Sequence, residues 1–114
     1  ESENNIIWGG MIMLRVDFTF DKKIIEKNGY TMSNIYETIK MEFGKKNISC
    51  VAEGEVLSFG AGEKKNDFSD MWTIIMRLTR SKWFLNYATS CTWNENNKSE
   101  DVLAQIKRKQ MISA

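Results

Sequence analysis

The chain contains no histidine and no proline. Without an imidazole, no mechanism within it can use histidine as general base, proton shuttle or metal ligand. Average proline usage is roughly 5%, so its absence removes cis-proline turns and proline-rich docking segments. Cysteine is scarce as well. Cys50 and Cys91 are the only two, too few for a disulfide scaffold or a four-thiolate zinc site. Both fall in apolar, strand-like patterns, where a free thiol behaves as a small buried hydrophobe. With no histidine to activate either, neither reads as a nucleophile.

Long hydrophobic runs are missing too. The longest candidate, Met11 to Phe20, is broken by Arg15 and Asp17 and falls short of the roughly 20 residues a membrane span needs. No segment has the form of a secretory signal, so a cytoplasmic location is the expectation. Nor is there an excess of charge: 16 Lys and Arg face 15 Asp and Glu, a net +1. Nucleic-acid binding rests largely on surplus positive charge, so this balance argues against it.

What is present describes one domain. At 114 residues, 42% apolar and 27% charged, the chain can build one core and not two. Residues 1–10 are polar, end in Trp8-Gly9-Gly10, and read as an N-terminal arm. Residues 11–114 read as a single α+β domain.

Met11 to Phe20 alternates: Ile12, Leu14, Val16, Phe18 and Phe20 share one parity, Met11, Met13, Arg15, Asp17 and Thr19 the other. Period two predicts a strand with one face in the core. Asp21 then caps a short helix from Lys22 to Asn28, closed by Gly29. Met32, Ile35, Tyr36, Ile39 and Phe43 predict an amphipathic helix, capped by Thr31 or Ser33 and followed by Gly44.

Ile48 to Phe59 reads as a second strand. Ile48, Cys50 and Ala52 have one parity, Leu57 and Phe59 the other, and a bulge near Gly54 would account for the switch. Gly60 to Asp67 reads as a polar loop. Met71 to Thr79 and Trp83 to Trp93 each alternate, and Arg80-Ser81-Lys82 between them predicts an antiparallel hairpin. After a loop over Asn94 to Lys98, Ser99 caps a last helix. Glu100 and Asp101 open it and Lys107, Arg108 and Lys109 close it, matching the helix dipole.

The predicted order is βαβββα: a two-layer α+β sandwich, a four-stranded and mainly antiparallel sheet with helices on one face. The layout resembles a ferredoxin-like or related split βαβ arrangement, a likeness of architecture that specifies no function.

The face away from the helices is the expected interaction surface. It would carry Met11, Met13, Met71, Ile75, Phe84 and Ala88 among Arg15, Arg77 and Asn86. That mixture is more apolar than a solvated sheet face needs, and apolar patches mark contact surfaces. A homodimer or a protein partner is the expected occupant.

Trp8, Trp72, Trp83 and Trp93, with Tyr87, could instead line a small-molecule pocket between helix and sheet. As ordinary core, Trp72, Trp83 and Trp93 would all be buried. Arg77, Arg80 and Lys82 beside Trp83 and Phe84 have the composition of a single-strand nucleic-acid platform, or of solvated hairpin charges. Glu53, Glu55, Asp67 and Asp70 flank a loop without the spacing of a cation-binding motif. Gly60-Ala61-Gly62 is not followed by a phosphate-cradling helix.

No constellation joins nucleophile, base and charge stabiliser, and no cofactor or metal is implied. The sequence therefore favours a non-enzymatic interaction module. A small-molecule-binding domain is the alternative, and a weak nucleic-acid contact at the basic hairpin end a further one.

Overall fold

The computed structural model describes residues 14–61 and 64–113, the side chains of 110–113 excepted. Met11 and Met13, the N-terminal arm and Trp8 lie outside them. The first strand, β1 (Leu14–Phe20), leads into α1 (Lys22–Lys27) and α2 (Met32–Gly44). Local chemistry accounts for both helices. Asp21 accepts a hydrogen bond from the Ile24 amide at 3.2 Å and caps α1. Gly29, at φ +88°, ends it. Its amide donates to Glu26 O and the Tyr30 amide to Ile25 O, the paired bonds of a Schellman motif. Thr31 then starts α2 with a reciprocal capping box: Thr31 Oγ1 accepts from the Asn34 amide and Asn34 Oδ1 from the Thr31 amide.

Next come β2 (Ser49–Glu53) and β3 (Leu57–Ala61), where one long strand was expected. The parity switch between Cys50 and Leu57 has two sources. The chain turns back at Gly54 to Val56, and the β2–β3 register slips between Cys50 and Ala52. The bulge thus sits at Val51 and not at Gly54. It lays Val51 against Gly60, where a Cβ would meet Val51 Cγ1 at 3.2 Å. Tyr36 reaches from α2 to donate to Gly54 O at 2.6 Å and ties the turn to the helix layer.

The larger correction concerns residues 67–87. Met71 to Thr79 is not a strand but part of α3 (Asp67–Thr79), and Trp83 opens no strand but lies in α4 (Lys82–Tyr87). Arg80 and Ser81 join two helices and not a hairpin. Met71, Ile74, Ile75 and Leu78 are buried, which is the i, i+3, i+4, i+7 stripe of a helix. Asp67 and Asp70 stand in its first turn and Arg77 in its last, as the dipole favours.

β4 (Ala88–Glu95) and β5 (Lys98–Asp101) follow, then α5 (Val102–Ser113). Asn94 to Lys98 is therefore largely strand, turning at Asn96, whose φ is 56°. Ser99 lies in β5. Asp101 caps α5 instead, accepting from the Ala104 amide at 3.1 Å.

The fold is α+β around one antiparallel sheet of five strands, ordered β2-β3-β1-β4-β5. Leu14, Val16 and Phe18 of β1 meet Leu57 and Phe59 of β3 and Cys91 and Trp93 of β4, all buried. Helices pack on that face. Phe18 meets Phe43 of α2 and Phe84 of α4 edge-on, and Trp72 of α3 meets Trp93. Among the described residues no helix is long and apolar enough to cross a membrane.

Candidate functional site

Among the described residues of the expected interaction surface, the structure leaves only Arg15 on the sheet face away from the helices. Met71, Ile75, Phe84 and Ala88 are buried in the core. Arg77 is exposed on α3 and Asn86 on α4. For Met71, Ile75 and Phe84 the cause is the change of period: at helical spacing they point inward, where a strand would have turned them out. Ala88 does stand in a strand, but the β1–β4 register shifts between Thr19 and Phe20, and that irregularity breaks the alternation that would have exposed it.

The face that Arg15 shares is polar. Asp17 and Thr19 lie beside it, with Ser58 of β3 and Ser90, Thr92 and Asn94 of β4 as register partners. Asp17 is the hub. Its carboxylate accepts from Arg15 Nε at 2.7 Å, Asn94 Nδ2 at 2.9 Å and the hydroxyl of buried Ser58, and Ser99 donates onward to Asn94 Oδ1. Burial works to raise the Asp17 carboxyl. The bonds from Ser58 and Arg15, the Arg15 charge and the Asn94 bond outweigh it and hold it below 3.8. A carboxylate so fully engaged stitches strands and offers little as a base.

Other candidates disperse. Cys91 is buried, and burial, with the charges of Asp101 and Asp17, pushes its thiol up to about 12. Cys50, expected to be buried, is exposed on the edge strand β2. Glu53 pairs with Lys40 at 3.0 Å, Asp70 faces Lys46, and Asp67 accepts from the Lys64 amide. Among the described residues no three His, Cys, Asp or Glu side chains gather as a metal site. Arg77 pairs with Glu42 of α2 at 2.7 Å, and Phe84 has no exposed face for a base to stack on.

The tryptophans separate. Trp93 is buried and Trp83 partly so, whereas Trp72 is 38% exposed. Phe68, one turn before Trp72 on α3, is 44% exposed. Both rings stand on Trp93 of β4: Phe68 at 5.5 Å and 81° between planes, Trp72 at 5.3 Å and 83°. Together with Glu95 of β4 and Lys98, Ser99 and Glu100 of β5 they line a groove of about 700 Å³. Trp93 Nε1 donates to Glu95 Oε1 at 3.3 Å.

Sequence reasoning overlooked Phe68, Glu95 and the β5 residues. The available signal was the spacing Phe68–Trp72, an i, i+4 aromatic pair once the segment is read as a helix. A second groove, about 740 Å³, lies between α2 and α4 and is lined by Tyr30, Asn34, Ile35, Glu37, Thr38, Trp83 and Tyr87. Three of its polar side chains are engaged locally: Asn34 in the capping box, Thr38 on Asn34 O, Glu37 with Lys40. No protein-family model, curated protein or solved structure matches the chain.

Proposed function

We propose that the chain is a non-enzymatic binding module that takes a small organic ligand in the groove between α3 and the β4–β5 hairpin. The observation that carries this is the seating of two exposed rings, Phe68 and Trp72, on the buried Trp93. Large aromatics left open beside a few placed polar groups are the composition of a ligand site. Two indoles in the groove supply the test. A ligand-stabilisation and tryptophan-fluorescence screen over common metabolite classes is expected to give a saturable response that Trp72→Ala abolishes. A flat response across the panel overturns the reading.

A second reading, self-association or a protein partner, is favoured by a different observation. β2 is an edge strand with Cys50 exposed and Val51 54% exposed, and an apolar edge invites strand pairing. Sedimentation mass is expected to rise with concentration and to return to the monomer in Val51→Lys; a monomer at every concentration removes it. We read the layout as ferredoxin-like: the order β2-β3-β1-β4, with helices after β1 and β3, is the split βαβ arrangement, extended by β5.

A further inference from the structure

The groove joins aromatic rings to negative charge. Glu95 and Glu100 flank it, Glu95 accepting from Trp93 Nε1 and Glu100 from Gln105 Nε2 at 3.0 Å. Those neutral donors hold both carboxylates in place without cancelling their charge. Among the described residues neither carboxylate takes part in an ion pair, although Glu37, Glu42, Glu53, Asp17 and Asp70 all do. Among the described residues Lys98 is the one cation on the wall, against two carboxylates. Aromatic faces attract cations through their quadrupole, tryptophan most strongly.

An ordinary ammonium is compact and strongly hydrated, and it would give up that shell against rings that cannot replace it. A methylated ammonium spreads the same charge over an apolar surface. It can lie on indole and phenyl faces while the carboxylates supply the field.

Resting on the reading of this groove as a ligand site, we infer that its ligand carries a trimethylammonium group, recognised by Phe68, Trp72 and Trp93 with Glu95 and Glu100 as counter-charges. The ligand is a free small molecule. Choline is the probe, and 3,3-dimethylbutan-1-ol is its neutral counterpart of equal shape.

Calorimetric and fluorescence titration of the full chain is expected to show choline binding at least tenfold tighter than the neutral alcohol. Trp72→Ala and Phe68→Ala, both at exposed positions, should each weaken choline at least tenfold. Glu95→Gln should weaken it several-fold, and Lys98→Ala should tighten it several-fold. Circular dichroism on each variant separates loss of binding from loss of fold. Equal affinity for the two probes, or choline binding unmoved by Trp72→Ala, overturns the inference while leaving the groove as a ligand site. No response to choline, with a metabolite hit quenched through Trp72, overturns it in the same way; no response to any compound overturns both. Phosphatidylcholine vesicles carry the same head group, and the protein is expected to stay in solution beside them. Co-sedimentation overturns the assignment to a free molecule.

Discussion

Phe43 of α2 lies flat against Phe59 of β3, with ring centroids 4.0 Å apart and planes 7° from parallel. Phe18 of the central strand meets both edge-on, at 6.0 and 6.2 Å. This stack joins the helix layer to the sheet at a point where neither ring touches water. Phe59→Ala is expected to cost ~3–5 kcal/mol, the range for deleting a buried phenylalanine. Urea unfolding would show it as a lower midpoint at unchanged slope. A loss below about 1 kcal/mol would mean that the site closes without the ring.

Asp17 makes stability depend on pH in one direction. Its folded carboxyl titrates below 3.8, so its contribution is complete above the ordinary aspartate value and lost as pH falls through the folded one. Asp17→Asn removes the charge that Arg15 and Ser58 address, and at neutral pH it is expected to cost ~1–3 kcal/mol. Unfolding curves from neutral to about pH 2 should show that penalty shrinking toward acid. A penalty constant with pH would place the effect in shape and not in charge.

The thiols should separate cleanly. Cys50 is exposed and Cys91 is buried with its thiol pushed up to about 12. Thiol-reactive chromophores near neutral pH are expected to modify one equivalent in the native protein and two after denaturation. Rapid native reaction of both would contradict the packing around β4.

Removing the exposed rings should leave the fold standing. Trp72→Ala and Phe68→Ala each forfeit an edge-to-face contact with Trp93, expected to be ~0.5–1.5 kcal/mol. Trp93→Ala, at a buried position, should cost ~3–5 kcal/mol. Thermal melts of the three variants would rank them. An exposed-ring variant as damaging as Trp93→Ala would make the groove a piece of core and not an open site.

Legibility followed the range of the interactions. Asp21, Gly29 and Thr31 act within four residues of themselves, so β1, α1 and α2 could be read directly, Thr31 included among two candidates for the cap. Met71 to Thr79 satisfies two templates at once: Trp72, Ile74, Met76 and Leu78 at period two, and Met71, Ile74, Ile75 and Leu78 at helical spacing. Its tryptophan, threonine and isoleucines favour a strand, and local propensity chose wrongly where packing decided. That error carried Met71 and Ile75 from core to surface and hid Phe68 beside Trp72; the same strand reading of α4 misplaced Phe84, and the unforeseen register shift opposite Phe20 misplaced Ala88.

By itself the sequence determined an α+β domain without imidazole chemistry, the capped helices α1 and α2, and a strand whose odd and even residues divide core from polar face. Only the tertiary structure decided that β1 sits between β3 and β4. It also decided that Asp67–Thr79 and Lys82–Tyr87 are helices and that Phe68 and Trp72 reach Trp93. The physical reason is distance along the chain. Caps and turns are settled by hydrogen bonds a few residues long, whereas Asp17 meets Ser58 41 residues on and Asn94 77 residues on. Which of two periods a segment keeps depends on the surface it must cover.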